Sequence, residues 1–147
     1  MIDLPGELNP GRIRVGCDLV AIDEIRASVS EFGDRYVRKV FTTGEIEDCR
    51  GADRIARLAA RFAAKEAVIK AFSDPLMAFP LREIEVTKHH LLPVVRLTGS
   101  VARRARQQGW TSTSLSLSHA DCHAMAVFVV VCDPQTGSTA RSGGDRR

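Results

Sequence analysis

Two carboxylates far apart in the chain pose the chemical question. Glu66 lies in RFAAKEAVIKAF (residues 61–72) and Asp18 in RIRVGCDLV (residues 12–20). From Asp53 to Phe72 the chain is rich in alanine, contains no Gly or Pro and has few β-branched residues, which predicts one long helix. At about 100° per residue, Ile55, Leu58, Ala59, Phe62, Ile69 and Ser73 share one side, and Glu66 falls about 30° from the centre of that stripe. Lys70 follows one turn later. On an exposed helix an i,i+4 ion pair with Lys70, worth about 0.2–0.5 kcal/mol, would account for Glu66. Between Phe62 and Ile69 the pair would be desolvated, and a buried ion costs several kcal/mol unless further polar groups compensate. The other reading is a functional carboxylate whose partners lie elsewhere.

Asp18 belongs to an alternating stretch. Ile13, Val15, Cys17 and Leu19 point one way and Arg14, Gly16, Asp18 and Val20 the other, as in a β-strand. Aspartate is disfavoured in strands, and the neighbouring Gly16 lets another group approach closely. An acid on a strand and an acid on a helix are the wrong donor set for zinc, which takes His and Cys. They suit magnesium, which accepts one or two carboxylates and fills its other positions with water and phosphate oxygens. Lys70, Lys65 and Arg61 would then be cations for the same phosphates, with His119 as another donor.

The remaining elements must hold these groups. Ile22 to Phe32 reads as a short amphipathic helix, continued by a basic and aromatic connection, and Thr43 is placed to cap the next helix. Ala60, Ala64, Ala67 and Ala71 give the long helix a side with almost no bulk, suited to close packing. Arg54, Arg57, Arg61 and Lys65 form a basic flank. Two strands joined near His89 to Pro93, a basic helix from Gly99 to Gln108, and two further strands around Ser118 to His123 complete an α+β pattern. An antiparallel sheet packed against the long helix is expected, with an N-terminal arm at 1–11, the domain at 12–132 and a disordered tail at 133–147.

Composition narrows the function. The chain has 147 residues, 44% hydrophobic and 27% charged, which is enough for one domain with a core and short for two. A net charge of +3 is mild, and the basic segments lack interleaved aromatics, so nucleic acid is not the expected partner. AMAVFVVVC is far below the roughly 20 residues needed to span a bilayer. The four cysteines show no CxxC spacing, and reduced thiols in the cytoplasm are expected. His89, His90, His119 and His123 lack a Cys pair to complete a zinc site, and Ser118 and His119 project to opposite faces of a strand, which excludes a hydrolase dyad.

GCDLVAIDEI, FTTGE, LAARFAAKEAVIKAF, IEV and SLSLSHADCHAMAVFVVV, in that order, resemble the holo-[acyl-carrier-protein] synthases, the small type of 4′-phosphopantetheinyl transferase. The similarity runs from about Ile13 to Val131. It implies a homotrimer with active sites between subunits, which moves the phosphopantetheine arm of coenzyme A onto a serine of an apo acyl carrier protein and releases adenosine 3′,5′-bisphosphate. Asp18 and Glu66 match the family's magnesium ligands, and Lys70 the lysine near the pyrophosphate, so these three are the expected catalytic residues. Arg61, Lys65, Ser118, His119 and Pro93 are the expected coenzyme contacts. Deprotonation of the carrier serine could use Glu66, or a water oriented by an acid such as Asp34. Arg26, Arg35, Arg38 and Lys39 are candidates for docking the acidic carrier. Departures from the family pattern fall at Glu24, at HHLLP and at Ala120, and leave the metal set whole. The competing reading is a carrier-binding homologue that transfers nothing.

Overall fold

The computed structural model describes residues 13–133. The expected arm at 1–11, and the expected tail after Asp133, lie outside the described residues. Along the chain run β1 (Ile13–Ala21), α1 (Ile22–Val40), α2 (Thr43–Asp48), α3 (Arg54–Phe72), a 3₁₀ turn (Leu81–Glu83), β2 (Ile84–His89), β3 (Leu92–Leu97), α4 (Gly99–Gln107), β4 (Trp110–His119) and β5 (His123–Cys132). The architecture is α+β with antiparallel sheets, as expected. β1, β5 and β4 form one sheet in that order, and β2 and β3 form a separate hairpin.

The alanine-rich helix α3 lies against the three-stranded sheet. Its Ala63, Ala64, Ala67, Val68, Ala71 and Phe72 are fully buried, as are Ala124, Ala126, Phe128 and Val130 of β5. Small side chains on the helix and alternate residues on the strand let the two backbones come close. At the end of the helix Phe72 stacks on Trp110 with ring centroids 4.1 Å apart, closing the core where the alanines stop.

The alternation in β1 is real, and the apolar row is the one left uncovered. Val15 is 58% and Leu19 62% exposed, whereas Gly16 and Val20 are buried under α3. The register places Ile13, Val15, Cys17 and Leu19 beside Val131, Val129, Val127 and Met125. Next to these come Ser112, Ser114, Ser116 and Ser118 of β4. The outer sheet face is therefore apolar on two strands and hydroxylated on the third.

Two local expectations change. The basic segment after Phe32 is helical, not a connection: α1 runs on to Val40 through a kink at Gly33, where φ is 55° and ψ −141°. That conformation suits glycine, so the amphipathic pattern resumes on a new axis beyond it. The cap of α2 is Thr42, not Thr43. Its hydroxyl accepts from the Glu45 N–H at 3.2 Å while the Glu45 carboxylate accepts from the Thr42 N–H at 2.8 Å. The Thr-x-x-Glu spacing in FTTGE is the sequence signal for this reciprocal cap.

Candidate active site

Position 16 decides how the acids meet. A Cβ built on Gly16 would lie 1.7 Å from the Ala67 carbonyl oxygen and 2.9 Å from the Ala71 nitrogen, so only glycine admits α3 this close to β1. Asp18, one alternation further along the strand, thereby reaches the helix. Lys70 Nζ donates to Asp18 Oδ1 at 2.7 Å and to the Cys17 carbonyl at 3.0 Å.

Glu66 belongs to the same group of charges. Partial burial pushes its carboxyl above the ordinary range, the Asp18 charge adds to that push, and the Lys70 ammonium opposes it. The hydrogen bond to Asp18 holds the Lys70 ammonium above the usual lysine range. The side of α3 bearing Glu66 is only partly buried. Leu58 and Ala59 are fully buried, Ile55, Phe62, Glu66 and Ile69 are half-buried, and the alanine side faces the core. Glu66 thus stands at the border of the core, screened from water on one side and accessible from the other.

The donor set fits magnesium. Two acids supply hard oxygens, and no cluster of three or more His, Cys, Asp or Glu side chains suited to a metal occurs among the described residues. A site with so few protein ligands leaves positions for water and phosphate oxygens, which magnesium accepts and structural zinc does not.

His119 ends β4, exposed, on the same sheet face as Asp18: the register runs from Asp18 through Ala126 to Leu117, two residues before the histidine. Ser118, one residue earlier, is on the opposite face beside Met125 and Leu19, away from the acids. Pro93 pairs with Lys88 in the hairpin, a sheet separate from the one carrying Asp18. Arg61 is only 5% exposed; its guanidinium contacts Asp48 Oδ2 at 3.4 Å, and its Nε is buried without a partner.

Lys65 requires a correction. It was expected on a basic flank, touching coenzyme phosphates, but it is fully buried. Its ammonium donates to Glu45 Oε2 at 2.8 Å, to the Leu81 carbonyl at 2.8 Å and to the Ile84 carbonyl. An ammonium has three protons, and all three are used inside the protein. Glu45, its partner, is the residue that the sequence reading missed.

The docking candidates all lie on α1 and are exposed. Arg26 pairs with Asp23 at 3.2 Å and Arg38 contacts Asp34 at 3.9 Å. Arg35 and Lys39, with Phe32 and Tyr36, line a hollow of about 340 Å³ at the kink.

Comparison with known proteins shows the family of the chain. The 4′-phosphopantetheinyl transferase superfamily profile matches residues 14–127, and the chain belongs to that superfamily. Among curated relatives, a holo-[acyl-carrier-protein] synthase of Herpetosiphon aurantiacus is 42% identical over 78% of this chain and 94% of its own length. One from Leptospira biflexa is 37% identical over 84% of this chain and 99% of its own. Among solved structures, a complex described as Chronobacterium ammoniagenes ACPS with CoA superposes with a TM-score of 0.74 at 29% identity, covering 83% of this chain and 98% of that one.

Proposed function

We infer that this chain is a holo-[acyl-carrier-protein] synthase, which transfers the phosphopantetheine group of coenzyme A to a serine of an apo acyl carrier protein. The observation that carries the reading is the meeting of Asp18, Glu66 and Lys70 where α3 presses on β1. In the transfer, the serine Oγ bonds to the phosphorus that bears pantetheine. The bond from that phosphorus to the bridging oxygen breaks, and adenosine 3′,5′-bisphosphate departs.

Asp18 and Glu66 are the residues that would hold magnesium, which when bound supplies charge neutralisation at the pyrophosphate. Lys70, 54% exposed on its side chain and already aimed at Asp18, is free to swing onto the leaving phosphate oxygens and balance their charge. The serine proton passes to the ionised Glu66 carboxylate, made more basic by its partial burial, or to a water oriented by an acid such as Asp34. His119, exposed on the same sheet face, is a donor for coenzyme phosphate.

The apolar outer sheet face supports a homotrimer. Val15, Leu19, Met125 and Val131 form a contiguous surface, and a second copy of the same sheet is a partner of matching chemistry. The basic rim of α1 fits an acidic carrier, with Arg35 and Lys39 supplying charge around Phe32 and Tyr36. No helix among the described residues is long and apolar enough to cross a membrane.

Incubation with coenzyme A, magnesium and a panel of apo carriers, read by intact mass, tests the reading. A carrier gains one phosphopantetheine group with magnesium and none with a chelator. A protein that binds the carrier and never changes its mass is a docking homologue, and the reading fails.

A further inference from the structure

We propose that Lys65 is a positioning residue for the transfer: its three-way anchorage sets the rotation of α3, and with it where Glu66 and Lys70 stand against Asp18. The proposal rests on the reading of those three residues as the site.

The anchorage joins four elements. Lys65, midway along α3, donates to Glu45 of α2, to Leu81 in the 3₁₀ turn and to Ile84 at the start of β2. Glu45 is itself fully buried, and accepts from the Val86 N–H at 3.0 Å and the Thr42 N–H at 2.8 Å. Thr42 passes the link on, its hydroxyl donating to Glu85 Oε1 at 2.7 Å. The donor is therefore saturated, and its carboxylate partner is held by two backbone groups.

Stability alone does not explain such a network. A buried ion pair is often matched or bettered by apolar side chains of similar volume, because desolvation offsets the attraction. Orientation does explain it. The Gly16–Ala67 contact sets how near α3 comes to β1, yet between the bulky buried Leu58 and Phe72 the middle of the helix packs mostly through alanines, which resist turning weakly. Lys65 is the residue before Glu66, about 100° around the helix, so fixing one fixes the other. With side-chain ends about 5–6 Å from the helix axis, a turn of about 20° displaces them by about 2 Å. A misplacement of about 1 Å can cost about a hundredfold in rate.

Three variants separate positioning from mere support. Glu45→Gln keeps the shape and both carbonyl acceptors of Lys65. Lys65→Met leaves Glu45 charged and unpaired, and Lys65→Met/Glu45→Gln removes both charges. A thermal melt gives the Tm of each, and well below that temperature each is measured by Mn²⁺ titration followed by electron paramagnetic resonance and by kcat and KM for each substrate.

The double variant is expected to remain folded, to bind Mn²⁺ about tenfold more weakly, and to lose about a hundredfold in kcat with KM for the carrier unchanged; Glu45→Gln falls between it and the wild type. If folded Glu45→Gln or the folded double variant keeps wild-type Mn²⁺ affinity and kcat, the proposal is overturned. Loss of kcat that only tracks Tm overturns it as well. Failure of the underlying reading looks different: the wild type itself would show no transfer, or Asp18→Asn would bind Mn²⁺ as the wild type does.

Discussion

Gly16 and Ala67 touch through their backbones: a side chain at position 16 would begin 1.7 Å from the Ala67 carbonyl oxygen. Two residues beyond Gly16 is Asp18, and one residue before Ala67 is Glu66. This close approach of strand and helix is thus also the place where the two acids come together, and packing and chemistry share one contact.

Gly16→Ala should therefore harm both. The added methyl has no space and meets backbone, so α3 must move off the sheet, at a cost of about 1–3 kcal/mol or more. Thermal melts are expected to show a lowered Tm. Assays well below that Tm are expected to show a further loss of transfer, because the acids have separated. Wild-type activity in a stably folded variant would contradict the account.

Glu66→Gln should trade stability against function. Its carboxyl titrates above the ordinary range in the folded chain, chiefly through burial and secondly through the Asp18 charge. The folded chain then binds more protons than the unfolded one between the two values, and stability falls as pH rises through that window. Above it the ionised carboxylate is a standing penalty in the metal-free protein. Removing the charge is expected to raise Tm at neutral pH, with no such gain below the window, while transfer falls by on the order of a thousandfold. Melts at several pH values and the mass assay check both halves.

Lys70→Met should lower kcat by about a hundredfold to a thousandfold, as expected when a cation aimed at developing charge is removed. Binding of the carrier is expected to be unaffected. Because its hydrogen bond to Asp18 raises its titration, Lys70 keeps its proton through and above the ordinary lysine range. Loss of its charge therefore sets no alkaline limit on transfer near neutral pH. An alkaline limb present in the wild type and absent from Lys70→Met would refute this assignment.

Val15→Asp and Leu19→Lys test the uncovered sheet face. Each puts a charge into the apolar rows without touching the Asp18 side of the strand. Light scattering is expected to show a trimer for the wild type and a smaller species for either variant. A wild type that is monomeric and fully active would remove the assembly from the proposal.

Arg35→Glu and Lys39→Glu reverse the sign of the hollow beside Phe32. KM for the carrier is expected to rise and to lose much of its dependence on salt, while KM for coenzyme A holds. Equal effects on both substrates would place the carrier elsewhere.

Local pattern made much of this molecule legible. The alanine-rich run became α3, the alternating run became β1, and the pair of terminal strands became β4 and β5 at nearly the expected bounds. Both acids, Lys70, and the reason for glycine beside Asp18 could be read from residue type and spacing, because helix period and strand alternation are properties of neighbours. The cap of α2 is a miss: Thr43, the threonine closer to the acids, is the expected cap, and the Thr-x-x-Glu spacing that favours Thr42 is outweighed.

What the sequence determined by itself is which residues share a face. Only the tertiary structure decided which face is covered. Alternation in β1 separates Val15 and Leu19 from Gly16 and Asp18, but it cannot say that α3 takes the glycine side and leaves the apolar row outside. Lys65 shows the same limit from within the core. It reads as a flank cation for phosphate until Glu45, twenty positions away, and two carbonyls beyond the helix converge on it. Burial of a charge is settled by partners distant along the chain, and periodicity contains no information about them.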